Sequence, residues 1–138
     1  MLVHGADLFV KDSGGAGEPV VFLHGFLFDG RQYAAQVEAL REDYRCITID
    51  FRGQGRSGPA RGGFQIEQQA ADVLEVLRQL EVDCVHLVGL SMGGFVAMRL
   101  AARTPERIRS AARPGWMLTV EPPAPCMVAT AVRPGTSA

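Results

Sequence analysis

The stretch Val85-His86-Leu87-Val88-Gly89-Leu90-Ser91-Met92-Gly93 and the run after it, Phe95-Val96-Ala97-Met98-Arg99-Leu100-Ala101-Ala102, decide how the chain is read. Residues 85–88 form a compact apolar segment of the kind found in buried strands. Residues 95–102 are good helix formers. A strand that turns sharply into a helix through G-x-S-x-G is a nucleophile elbow. At such an apex the flanking backbones come so close that only glycine avoids a Cβ clash, which accounts for Gly89 and Gly93. The helix points its free N–H groups and positive dipole end at the apex, where negative charge develops on a reacting oxygen. Ser91 is therefore the candidate nucleophile.

The rest of the chain alternates in the same manner. Leu8-Phe9-Val10 is a weak strand, followed by a turn over Asp12-Ser13-Gly14-Gly15-Ala16-Gly17. Pro19 opens the apolar strand Val20-Val21-Phe22-Leu23, which stops at His24-Gly25-Phe26. A modest helix is expected from about Gln32 to Arg41, with Tyr33, Val37 and Leu40 at helical spacing. Cys46-Ile47-Thr48-Ile49-Asp50 is the next strand. Between about Gln65 and Leu80 the residues Ile66, Ala70, Val73, Leu74, Leu77 and Leu80 fall on one helical stripe. Strands alternating with helices imply an α/β fold with a parallel sheet covered on both faces. Sites in such sheets lie at the carboxyl ends of strands, where His24-Gly25, the Asp50 turn and Ser91 all fall.

Composition narrows the function classes. The chain has 138 residues, a net charge of −1 and 47% hydrophobic residues, so one soluble domain is expected, without a basic stripe for nucleic acid. No run is long enough for a membrane span and no signal peptide is visible, so a cytoplasmic location is expected. Cys46, Cys84 and Cys126 are scattered and odd in number, which argues against disulfides and zinc. Cys46 and Cys84 read as small buried hydrophobes. Gly53-Gln54-Gly55-Arg56-Ser57-Gly58 matches G-x-G-x-x-G, but Pro59, Gly62 and Gly63 follow it in place of a helix. Nothing there would hold a pyrophosphate; the stretch reads as a tight loop in which Asp50 and Arg52 pair. No cofactor or metal is expected.

The order Phe22-Leu23-His24-Gly25-Phe26, Asp50-Phe51-Arg52-Gly53-Gln54-Gly55-Arg56-Ser57 and Gly89-Leu90-Ser91-Met92-Gly93-Gly94 resembles the α/β-hydrolase superfamily. Its branch of cofactor-free esterases, enol-lactonases and carbon–carbon-bond hydrolases is the nearest in pattern. The resemblance spans about residues 5 to 109. It implies Ser91 as nucleophile, with an oxyanion hole formed by the backbone N–H groups of Phe26 and Met92. His24 and Gly25 would shape the loop, His24 as scaffold and not as base. The implied substrate is a small carbonyl compound, an ester, lactone or relative, attacked to give an acyl-enzyme.

The family's triad runs Ser, then Asp or Glu, then His in chain order. Here the histidines are His4, His24 and His86, and none follows Ser91. His86 reads as a packed strand histidine. The later acids, Glu106 and Glu121, end no recognisable strand, so the triad acid and base are missing. The expected division is 1–109, the N-terminal part of a hydrolase domain with about its first five strands, and 110–138, an irregular Pro/Ala/Arg-rich tail. That tail holds five of the eight prolines; a reading-frame change near codon 110 is its expected origin, and a genuine short protein with a divergent tail is the alternative. The strand carrying the elbow would then lack its partner and expose an apolar edge open to self-association. Hydrolysis by this chain is expected near background. A non-catalytic relic or binding module is the alternative, as is a Ser-dependent perhydrolase or haloperoxidase built on the same residues.

Overall fold

The computed structural model describes residues 1–112 of the 138. A small antiparallel hairpin, β1 (Leu2–Val3) and β2 (Ala6–Asp7), precedes the main sheet. The sheet comprises β3 (Val10–Asp12), β4 (Glu18–Leu23), β5 (Tyr44–Ile49), β6 (Val85–Gly89) and β7 (Ile108–Ala112), in the order β3-β5-β4-β6-β7. The helices are α1 (Ala34–Leu40), entered through a 3-10 turn at Gly30–Tyr33, α2 (Ile66–Gln79) and α3 (Met92–Arg103). Among the described residues no helix is long and apolar enough to cross a membrane.

Residue alternation sorts each strand between two layers. Val21, Leu23, Ile47, Ile49, Val85 and Leu87 share one core with Val73, Val76 and Leu77 of α2 and Val96 and Leu100 of α3. Val20, Phe22 and Cys46 turn to the other face, against Tyr33, with Val37 and Leu40 of α1 packed over them. The six-residue parallel register of β4 on β5 and the β4–β6 pairing bury β4 at the centre. Full burial of each Val or Leu on the α2 stripe contributes roughly 1.5–3 kcal/mol, so packing holds this helix more than propensity does.

The expected α/β sheet is present, with two corrections to its strands. The first strand of the sheet lies at 10–12, not 8–10, and pairs with β5 antiparallel, Val10 opposite Ile49. Only residues 13–17 join it to β4, too few for the crossover a parallel neighbour needs. The second correction concerns the elbow strand. β6 is paired on both sides, because β7 adds to it in parallel from Val85↔Ile108 to Val88↔Ala112, past an irregularity at Val85/His86. Ile108 and Ala111 point into the core, and Ser110 Oγ bonds His86 Nδ1 at 2.7 Å. Backbone pairing and one polar clasp make a strand from a segment whose composition does not announce one. The chain continues the sheet beyond 109, and among the described residues the outer strands are β3 and β7, not β6. The Pro-rich tail and Cys126 lie outside the described residues.

Polar details also depart from expectation. His86 is half-buried, and its Nε2 meets Glu18 Oε2 at 2.8 Å, so it clasps β6 between β4 and β7 instead of packing in the core. Cys46 is a buried free thiol, its pKa pushed up by burial. Cys84 is half-buried, where a fully buried side chain was expected.

Candidate active site

Ser91 occupies the N-cap of α3 with φ 50° and ψ −114°. A serine in that position ordinarily sits in extended backbone and accepts a helix N–H with its own oxygen. The positive φ prevents this. The Ser91 side chain makes no capping bond and is exposed, leaving the hydroxyl uncommitted. Holding a non-glycine residue in this region costs on the order of 1–3 kcal/mol, which the surroundings must supply.

They do so by close packing. A Cβ on Gly89 would overlap the Gly93 carbonyl, and one on Gly93 would overlap the carbonyls of Leu23 and His24. The Leu90 N–H donates to the Leu23 carbonyl at 3.2 Å, and the Gly93 N–H to the Leu90 carbonyl at 2.9 Å. Tyr33 lies beneath, its hydroxyl donating to the Leu23 carbonyl at 3.1 Å, with its pKa pushed up to about 12 by burial. The elbow is thus wedged against the end of β4.

The loop after β4 meets the elbow directly. A Cβ built on Gly25 would stand 3.9 Å from the Ser91 Cβ and 3.7 Å from the Leu90 carbonyl oxygen. His24 is fully buried, and both its ring nitrogens are engaged. Nε2 accepts the Phe51 N–H at 2.9 Å, so the proton sits on Nδ1, which donates to the Gly25 carbonyl at 2.7 Å. Burial lowers its pKa, and the Gly25 hydrogen bond only partly opposes that. His24 is a neutral brace for the loop.

The loop amides around Phe26 are accounted for. The Gly25 N–H donates to Gln32 Oε1 at 3.0 Å, the Leu27 N–H to Gln54 Oε1 at 3.0 Å, and the Phe28 N–H to the Gly25 carbonyl at 3.1 Å. Among the described residues, the N–H groups of Phe26 and of Met92 have no hydrogen-bond partner. One lies on the loop beside the elbow and the other opens α3 directly after Ser91.

Asp50, at the end of β5, anchors the loop that follows that strand. It is fully buried; its Oδ1 accepts from the Gly30 N–H at 2.8 Å, and its Oδ2 from the Arg56 N–H and Nε, each at 2.9 Å. Burial alone would raise its pKa, but the Arg56 guanidinium and the Arg56 and Gly30 amides outweigh it and hold the carboxyl below its usual value. The expected Asp50–Arg52 pair is therefore wrong. Gly53 and Gly55, at φ 69° and 53°, turn the loop so that Arg56 comes back over Asp50. Arg52 points instead at α2 and makes a two-pronged pair with buried Asp72 at 2.7 and 2.8 Å. As expected, the 53–58 loop opens no helix.

The structure thus brings Ser91, Met92, Gly89, Gly93, His24, Gly25 and Phe26 to one sheet edge. The Asp50 turn, expected at a strand end, lies close by; Gln32, Gln54 and Arg56, which bond to it or to the loop after β4, were not singled out from sequence. Their one signal was position, in loops that leave the carboxyl ends of β4 and β5. His4 bonds Asp72 at 3.0 Å and His86 bonds Glu18 and Ser110; no histidine bonds Ser91. A cleft of about 320 Å³ opens elsewhere, on the α1 face, lined by Lys11, Gly30, Arg41, Cys46, Thr48 and neighbours. Among the described residues no group of three His, Cys, Asp or Glu side chains is placed to hold a metal.

A family model for the α/β hydrolase fold matches residues 18–113. The chain belongs to the α/β-hydrolase family. An AB hydrolase superfamily protein of Bacillus subtilis, YisY, is 37% identical over 97 residues, which are 70% of this chain and 36% of YisY. The enol-lactonase of Burkholderia xenovorans superposes with a TM-score of 0.76 at 34% identity, covering 80% of this chain and 44% of the lactonase. Est816, described as an N-acyl homoserine lactone degrading enzyme, superposes with a TM-score of 0.76 at 35% identity, over 80% of this chain and 42% of its own. This α/β-hydrolase chain spans less than half the length of each of these relatives.

Proposed function

We propose that this chain carries the nucleophile and oxyanion half of a serine hydrolase acting on an ester, lactone or related carbonyl. The observation that carries the reading is the Ser91 backbone, at φ 50° and ψ −114°, which presents an uncommitted hydroxyl beside the unpartnered Phe26 and Met92 amides. Ser91 Oγ attacks the carbonyl carbon, the carbonyl electrons move onto oxygen between the two N–H groups, and collapse expels the leaving alkoxide to leave an acyl-Ser91. The Oγ proton must pass to a base. The 138 residues contain no histidine after Ser91, and His24, neutral and engaged at both nitrogens, is not that base. Turnover by this chain alone is therefore at background, with only the residual rate that binding and oxyanion donors sustain.

The test is prolonged incubation with a fluorophosphonate and intact-mass analysis, beside a p-nitrophenyl ester assay. The expected result is one adduct on Ser91, absent in Ser91→Ala, with ester turnover at or near the rate of the no-protein control. No adduct on Ser91 would refute the nucleophile reading; turnover lost in Ser91→Ala would refute the half-site reading. The missing base also favours a second reading, a binding module of the same fold. Saturable binding of a carbonyl ligand, equal in the parent and Ser91→Ala chains and without any adduct, would establish it.

A further inference from the structure

We propose that Gln54 is a positioning residue for the oxyanion hole, tying the loop that carries the Phe26 amide to the first residue of α3. The proposal rests on the Ser91 reading above and extends it to a residue which that reading does not use. Gln54 lies in the tight loop after β5, half-buried, and its two amide ends face two different elements. Oε1 accepts the Leu27 N–H at 3.0 Å, one residue past Phe26. Nε2 stands 3.9 Å from the Met92 Sδ, on the residue whose own N–H is the second donor. No other described side chain has hydrogen bonds to both.

The backbone explains why such a tie is needed. Leu27 has φ 64°, a left-handed conformation that a γ-branched residue rarely adopts, and its side chain is 79% exposed, so no packing holds it there. Hydrogen bonds must do so. Gln32 secures the Gly25 amide on one side of Phe26, and Gln54 secures the Leu27 amide on the other. The peptide between them is then fixed in orientation, with the Phe26 N–H left over. Without Gln54, the Leu27 peptide is free to relax toward negative φ, and the Phe26 N–H turns with it. The Gly53 and Gly55 kinks, held by Arg56 on Asp50, set the height at which Gln54 reaches up. An oxyanion hole works only if its donors are aimed before the charge develops. Gln54 would act on chemistry through Phe26, not by touching substrate.

The experiment uses the full chain with two variants, Gln54→Leu, which keeps the bulk but loses the acceptor, and Gln54→Glu, which keeps the acceptor. Amide hydrogen exchange by NMR reads the anchor. Exchange at Leu27 is expected to quicken about tenfold in Gln54→Leu and stay at the parent rate in Gln54→Glu. Rescue by the Glu variant separates anchoring from a general loss of fold. Titration with phenylboronic acid, which forms a tetrahedral anionic adduct on a serine oxygen, reads the oxyanion donors. Its affinity is expected to fall about tenfold in Gln54→Leu and to vanish in Ser91→Ala. Unchanged Leu27 exchange in Gln54→Leu, or unchanged Ser91-dependent boronate affinity, overturns the role of Gln54. Boronate binding that survives Ser91→Ala overturns the nucleophile reading instead, while the Leu27 exchange still reports on the anchor.

Discussion

Replacing Asp50 by asparagine tests whether the loop after β5 is held by charge or merely by shape. Asp50 is fully buried and accepts four hydrogen bonds: from Gly30 N–H, from Arg56 N–H, and from Arg56 Nε and one of its terminal nitrogens. Asparagine has one acceptor oxygen. If it keeps Gly30, its NH2 group faces the Arg56 N–H and Nε–H, donor against donor. A buried donor without an acceptor costs about 1–3 kcal/mol. The Arg56 side chain is 30% exposed and can turn to water, so its share is small. Asp50→Asn should thus lower the unfolding free energy by about 3 kcal/mol. For a chain of this size that is a fall in Tm of about 10 °C. Urea unfolding with an unchanged m-value is the assay. The loss should also depend on pH. The Asp50 pKa is held below its unfolded value, so its stabilisation is complete above that value and disappears as pH falls through the folded one. The gap between parent and variant should be full at neutral pH and narrow below about pH 4. A gap under about 1 kcal/mol at pH 7, or one that does not close in acid, would refute the reasoning.

Other perturbations separate the remaining polar contacts. Arg52→Ala strands a carboxylate, Asp72, that is almost wholly buried, and should cost about 3–5 kcal/mol. His4→Ala removes a half-exposed partner of the same carboxylate and should cost at most about 1 kcal/mol, so equal losses in thermal melts would contradict the assignment. Ser91→Gly removes the proposed nucleophile but relieves the positive φ, and should raise stability by about 1 kcal/mol. A destabilised Ser91→Gly would mean that the elbow is not strained.

Much of the fold was legible because it is written in local patterns. The apolar runs at 20–23, 46–49 and 85–88, the stripe on α2 and the paired glycines at 89 and 93 each declare themselves within a few residues. The antiparallel β3 was not legible as such, because strand direction follows from the short connection at 13–17 and from which neighbour the strand finds. β7 was missed because Arg109-Ser110-Ala111-Ala112 has weak strand propensity; its pairing comes from the exposed side of β6 and the His86–Ser110 bond. The partners of Asp50 and Arg52 were misread for a related reason. Sequence proximity suggested that they pair, whereas two positive-φ glycines send the chain back so that Arg56 arrives first.

By itself, then, the sequence determined the α/β alternation, the candidate nucleophile and the glycines that let it stand at a cramped apex. These depend on side-chain volume and backbone freedom, which are properties of single residues and their immediate neighbours. Only the tertiary structure decided which amides remain without a partner beside Ser91, which nitrogen of His24 carries the proton, and which loops Gln32 and Gln54 secure. Those are facts of hydrogen-bond partnership between segments tens of residues apart. A donor's partner is fixed by where the fold carries the acceptor, and no local pattern records that.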